Sequence, residues 1–246
     1  MEGYSASTYG DTIADAYDDF YGSLFDVEGA VDFLAQKAGP GPVLELGIGT
    51  GRIALPLRQR GVEVGGIDAS SAMVQRLRSK PEGAEIPVIM GEFSRTDLGG
   101  PYSMVFVVFN TFFANESQEE QVECFANVAR SLTDGGVFVI EAFVPDQSRF
   151  DRHQRVEVDR VGLDEVMFSA SVHDAAGQRV NTQHVYISDG EIRLFPTFIR
   201  YAWPSELDLM ARLAGMTLRE RRASWRDERF TSTSPGHVSV YEKPSG

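Results

Sequence analysis

Apolar positions follow one rhythm up to about residue 143 and another beyond it. In the first stretch, short apolar runs alternate with segments of helical spacing. Helices are predicted over 11–21 and 26–37, the second stopped by Gly39-Pro40-Gly41-Pro42. Residues 43–46 form a strand that enters a glycine loop. Residues 52–60 form a helix in which Pro56 either sits in an early turn or kinks the axis. Strands follow at 62–67, 86–90 and 104–109, with a helix capped by Ser70 or Ser71 running to about Lys80. The run 104–109 is apolar throughout, as in a strand covered on both faces. Ser117-Gln118-Glu119-Glu120 matches a capping box before a helix over 118–132, and Asp134-Gly135-Gly136 turns the chain into a strand at 137–143. This alternation predicts an α/β fold with a parallel sheet and right-handed crossovers.

From about residue 154 the period changes to two. Strand-like segments at 155–161, 165–172, 179–187 and 192–201 are separated by turn signals at 174–177 and 188–190, which predicts an inserted antiparallel sheet. On 165–172, Val166, Phe168, Ala170 and Val172 share one face, expected to pack on the core or a lid. Met167, Ser169, Ser171 and His173 share the other, expected to face substrate or a second subunit. A helix over 205–214, opened by Pro204 and closed by Gly215, precedes two last strands, 218–225 and 238–243, read as the closing antiparallel pair of the main sheet. Four parts result: an N-terminal helical lid (1–38), a ligand-binding core (39–150), the insert (151–204), and the closing helix and strands (205–246).

Composition narrows the partners. At 246 residues with 42% hydrophobic content, the chain has material for one sizeable core. A net charge of -13 repels phosphate backbones, so nucleic acid is not expected. Cys124 stands alone, which excludes an intrachain disulfide and reads as a small buried hydrophobe. Residues 1–4 show neither a basic nor an apolar signal region, and no run approaches a membrane span. A cytoplasmic location without membrane attachment is expected. No His or Cys pair has metal-ligand spacing, so no metal is expected.

The strongest chemical signal is Glu45-Leu46-Gly47-Ile48-Gly49-Thr50-Gly51-Arg52. Glycine at alternate positions lets the backbone approach a ligand, and the next helix presents unpaired N–H groups. The third glycine comes one residue too early for the dinucleotide pattern G-x-G-x-x-G, which disfavours a nicotinamide enzyme. Asp68, at the end of the second strand, is placed to accept bonds from two ribose hydroxyls. Glu92, in Gly91-Glu92-Phe93 after the third strand, is placed to accept one from an adenine amine. The three signals fall at consecutive strand ends, where open α/β sheets bind ligands.

These motifs resemble those of the class I S-adenosylmethionine (SAM)-dependent methyltransferases, over most of the chain. The resemblance implies a seven-stranded Rossmann-like sheet with helices on both faces, SAM as cofactor and S-adenosylhomocysteine as product. It places Glu45, Gly47, Gly49, Gly51 and Arg52 around the methionine part, Asp68 on the ribose, and Glu92 beside adenine where many members have Asp. Ala69, Met73, Gly91, Phe93, Phe109 and Asn110 are the further cofactor contacts it implies. A narrower similarity is to small-molecule methyltransferases of natural-product pathways, including the sugar N,N-dimethyltransferases, which share a tyrosine-bearing N-terminal helix and an antiparallel insertion. By that similarity Tyr9 and Tyr17 line the cofactor pocket, and Tyr21, Phe112, Phe113, Arg200 and Trp203 the substrate pocket. The segment Phe109-Asn110-Thr111-Phe112-Phe113 lacks the [D/N]-P-P-[Y/F] motif of enzymes that methylate planar nitrogens.

Methyl transfer requires chiefly that a nucleophile be oriented in line with the sulfonium. A hydroxyl acceptor gains from a base, and among Glu141 and the four histidines, Glu141 and His184 are the candidates retained. The expected function is methylation of a small-molecule amine or hydroxyl in secondary metabolism. Alternatives are a protein methyltransferase, for which the acidic surface attracts a basic partner, and a SAM-binding regulatory protein without turnover. The insert is expected to shape the substrate pocket or to form a homodimer interface.

Overall fold

In the computed structural model, residues 3–22 and 25–245 are described; Met1 and Glu2, half of the segment 1–4 read as lacking a signal, lie outside them. Seven strands form one sheet: β1 (Val43–Leu46), β2 (Val64–Asp68), β3 (Val88–Met90), β4 (Tyr102–Val107), β5 (Leu132–Phe143), β10 (Thr217–Arg222) and β11 (Gly236–Glu242). Their order is β10-β11-β5-β4-β1-β2-β3, with β11 antiparallel to both neighbours and β1 to β5 mutually parallel. Chain direction across the sheet reverses between β1 and β4, which opens a crevice at their C-terminal ends.

Every residue of β1 and the last four of β4 are buried, because helices cover both faces. On one face α3 (Val27–Lys37) and α4 (Ala54–Gln59) bury Leu34, Ile53 and Leu57 against Met104 and Phe106. On the other, α6 (Gln118–Ser131) and α7 (Pro204–Leu213) bury Phe125 and Met210 against Phe138 and Tyr241. Three helix starts carry side-chain caps. Asp26 accepts from Gly29 N–H, and Ser70 from Met73 N–H at the start of α5 (Ser71–Ser79). Ser117 accepts from Glu120 N–H, while the Glu120 carboxylate reaches back to Glu116 N–H rather than to the cap itself. Pro56 is the third residue of α4, so it lies in the first turn, where no backbone N–H is needed.

Three expectations are corrected. The helix 11–21 is two: α1 (Thr8–Ile13) and α2 (Tyr17–Tyr21), separated by a turn at Ala14–Ala16 that lets Ile13 and Phe20 both enter the same buried cluster. Asp134-Gly135-Gly136 does not precede β5 but lies inside it. Tyr102 pairs with Leu132 and Met104 with Val137, so the extra residues bulge, with Gly135 at φ 73°. On the insert, the apolar face of the strand expected at 165–172 is not the one that packs inward. β6 (Gln154–Val161), β7 (Glu165–Asp174), β8 (Arg179–Ser188) and β9 (Glu191–Arg200) form an antiparallel sheet in that order. On β7 the more polar face, Met167, Ser169 and His173, is the buried one, and Val172 on the apolar face is exposed. Met167 and Phe195 close the insert onto Ile13, Phe20 and Met73, so the sheet sits on the N-terminal helices and α5. Among the described residues no helix is long and apolar enough to cross a membrane, and no group of His, Cys, Asp and Glu is arranged to hold a metal.

Candidate active site

The β1 loop turns through Gly47 and Gly49 at φ 69° and 55°, values that glycine adopts without strain. They differ in what surrounds them. A Cβ on Gly47 would come 2.5 Å from Thr111 Cγ2, whereas one on Gly49 would meet only Gly47 O at 3.9 Å and point into open space. That space is a cavity of about 580 Å³ at the C-terminal ends of β1, β2 and β4. Asp68 ties the loop to β2: its carboxylate accepts from Gly49 N–H at 2.7 Å and from Ser70 N–H at 2.8 Å. Burial raises its pKa, and those backbone donors lower it in part.

Of the residues expected at the cofactor, Tyr9, Tyr17, Gly47, Gly49, Asp68, Ala69, Met73, Glu92, Phe93, Phe109 and Asn110 line this cavity, as does Tyr21. Glu45, Gly51, Arg52 and Gly91 stand behind its lining. Gly51 is a packing glycine, since a Cβ there would meet Leu77 Cδ1 at 2.4 Å, and Gly91 is crowded in the same way by Thr96. The Arg52 guanidinium lies among the rings of Tyr17, Phe25 and Phe109 at 4.7, 5.1 and 4.6 Å from their centroids, and one nitrogen donates to Tyr21 O at 3.1 Å. Its Nε and second terminal nitrogen are buried and have no partner, and one Glu45 oxygen is in the same condition. Burial, and then the Asp68 charge, push the Glu45 carboxyl well up. Unsatisfied guanidinium donors beside a glycine turn fit the carboxylate of a methionine moiety, and Asp68 fits a ribose.

The N-terminal helices roof the cavity. Gly10 lets α1 lie directly on α5, since a Cβ there would come 2.5 Å from Ser70 Cβ. Ser70 Oγ–H donates to Asp11 at 2.6 Å, Thr50 Oγ1–H to Asp18 at 2.6 Å, and Lys80 pairs with Asp18 at 2.7 Å. The helical break does not separate Tyr9 from Tyr17, and both rings reach the cavity.

Several expected residues sit elsewhere. Glu141 is at the end of β5 as predicted, but its oxygens accept from Phe109 N–H at 2.8 Å and Trp225 Nε1–H at 3.2 Å. It lines neither this cavity nor the one described next; it braces the turn after β4, where Phe109 and Asn110 are both left-handed (φ 55° and 64°). That turn sends Phe112 and Phe113 into the core, where both are fully buried, rather than to a substrate wall. Arg200 is also buried, donating to Gln121 and Gln178 and pairing with Glu206 at 2.8 Å, and Trp203 lies partly exposed against Tyr201.

A second cavity of about 280 Å³ lies between the segment after β5 and the inner face of the insert. Phe143, His184 and Ile199 line both cavities. Burial lowers the His184 pKa; its Nδ1 is buried without a partner, and its Nε2 lies 3.4 Å from Thr197 Oγ1. Sequence reasoning missed Phe25, Phe143, Thr197 and Ile199. Phe143 was findable, as the last residue of a strand whose C-terminal end faces the crevice.

Known proteins share this arrangement. Residues 43–136 match a family model described as a methyltransferase domain. The CcbJ methyltransferase of Streptomyces caelestis is 41% identical, with 98% of this chain and 100% of that one covered and a TM-score of 0.92. The cypemycin N-terminal methyltransferase of a Streptomyces species is 26% identical over 96% of this chain and 98% of its own length. The sugar N-methyltransferase KedS8 of a Streptoalloteichus species, 20% identical with a TM-score of 0.69 over 100% of this chain and 99% of that one, shares the fold. With the glycine turn and Asp68 on one cavity and the unpaired Arg52 donors directly behind its lining, this chain belongs to the class I SAM-dependent methyltransferases.

Proposed function

We propose that this enzyme methylates an amine or hydroxyl of a small natural-product acceptor. The observation that carries the reading is the junction at Phe143, His184 and Ile199, where the glycine-lined cavity meets a second one of drug-like scale. SAM, when bound, supplies a methyl group on a sulfonium. Arg52 would hold the methionine carboxylate, Asp68 the ribose hydroxyls and Glu92 the adenine amine. Tyr9, Tyr17 and Tyr21 would cover the reacting region and exclude water. His184, kept neutral by burial, would orient the nucleophile or take its proton.

A second reading, methylation of a peptide amino terminus, is favoured by the relative named for cypemycin. Incubating the protein with labelled SAM and either small amines and alcohols or short peptides, and measuring S-adenosylhomocysteine release, separates the two. Turnover of peptides alone would overturn the small-molecule reading. SAM binding with no release from any acceptor would favour a regulatory role.

A further inference from the structure

The second cavity contains a carboxylate, Asp159 of β6, for which the cofactor has no use. β6 and β7 pair in register from Gln154↔Val172 to Val158↔Phe168, and then Arg160, not Asp159, faces Met167. Asp159 is therefore the extra residue of a β-bulge. Arg155, Glu157 and Asp159, at alternate positions of β6, all line the second cavity, and the bulge falls where that row ends, as bulges do beside active sites.

The charges around it are already matched. Arg155 pairs with Glu157, Arg149 with Glu157 at 3.7 Å, and Arg160 with Glu165 at 3.6 Å. Asp146 is engaged by Ser148. Among the described residues, no Lys or Arg lies within ion-pair reach of Asp159. Its charge acts instead on Tyr21, in the first cavity, and on His184, at the junction.

We infer that the second cavity is the acceptor pocket and that Asp159 selects a cationic acceptor, holding an ammonium group beside His184. This deepens the proposed function and rests on it. Ser169, Ser171 and Thr182 on the inner sheet face offer hydroxyls, and Phe150, stacked on His173 at 4.4 Å, gives an apolar wall. His184 Nδ1 is buried without a partner, so a proton on it leaves Nε2, 3.4 Å from Thr197 Oγ1, as the acceptor of the ring. The ammonium gives one proton to Nε2, and from there to solvent. The freed nitrogen lone pair bonds to the methyl carbon as the carbon–sulfur bond breaks, its electron pair staying on sulfur. The sulfonium charge is thereby lost and the product nitrogen becomes the cation.

The experiment is calorimetric titration of matched probes, benzylamine with benzyl alcohol and cyclohexylamine with cyclohexanol, into protein saturated with S-adenosylhomocysteine. In the wild type each amine should bind more tightly than its alcohol. Asp159→Asn should weaken amine binding by roughly tenfold and leave the alcohols, the S-adenosylhomocysteine affinity and Tm unchanged. An amine that binds no better than its alcohol, or a preference that survives in Asp159→Asn, overturns the inference while the cofactor reading stands. Failure of S-adenosylhomocysteine to bind in the preceding titration overturns the cofactor reading and this inference with it.

Discussion

Replacing Asp68 by alanine separates what its carboxylate does for the loop from what it does for the cofactor. Alanine leaves Gly49 N–H and Ser70 N–H without the acceptor they now share. Water from the adjoining cavity can replace it, so the stability cost should be about 1–2 kcal/mol in all. For a chain of this size that lowers Tm by about 2–8 °C. Binding should suffer far more. Two ribose hydroxyls donating to an ionised carboxylate contribute about 1.5–3 kcal/mol each. Their loss should raise the SAM Kd by roughly 10²–10⁴-fold. Calorimetric titration of the folded variant, with thermal denaturation alongside, measures both quantities. A Kd within about threefold of wild type in a variant whose Tm has dropped would refute the reasoning, because the carboxylate would then serve the loop alone. The charge has its own signature. Burial raises this carboxyl's pKa, so binding that needs the ionised form is complete above the raised value and is lost on acidification sooner than an exposed aspartate would predict. That acid loss should be absent from Asp68→Ala.

Gly10→Ala, which in an ordinary exposed helix would stabilise, should here force α1 off Ser70 at about 1–3 kcal/mol and speed SAM release in stopped-flow displacement; unchanged release would show that the roof is not packed as described. Glu141→Gln should lower Tm and leave the pH profile of kcat unchanged, since the carboxylate braces Phe109 and Trp225; disappearance of a limb of that profile would restore it as the base. His237 is held neutral, its pKa lowered from 6.5 to about 3, chiefly by burial. Between those values the unfolded chain binds a proton that the folded chain does not, so stability rises with pH across the window. His237→Asn should flatten that rise in denaturant titrations, and an unaltered slope would count against a buried neutral imidazole.

The sequence is most readable where local chemistry and period agree. β1, its glycine turn and Asp68 were legible because glycine takes a positive φ without strain and an open parallel sheet puts its ligand at the strand ends. The positions of Phe112 and Phe113 were not. Two consecutive left-handed residues, Phe109 and Asn110, redirect the chain, and only the asparagine hints at it. The break at Ala14–Ala16 leaves no mark either, since alanine suits a helix; it is set by the packing of Ile13 and Phe20. On β7 alternation gave two faces but not their orientation. A polar cavity needs Ser169 and His173 inside, which reverses the usual assignment of the apolar face to the interior.

The four strands of the insert form ladders only with one another and none with the seven-stranded sheet. Between the two cavities the shared lining is Phe143, His184 and Ile199, two of them contributed by the insert itself. On the proposed function, acceptor choice then rests largely on the insert and cofactor binding largely on the rest of the chain. On that proposal an enzyme designer would exchange the sheet β6–β9 without cutting backbone pairing of the main sheet, keeping Met167 and Phe195, which seat it on Ile13, Phe20 and Met73, and Arg200, which ties it to Gln121 and Glu206. On the same proposal natural drift would have that freedom too: changes along the inner sheet would alter the acceptor while the glycine turn and Asp68 keep their proposed hold on the methyl donor.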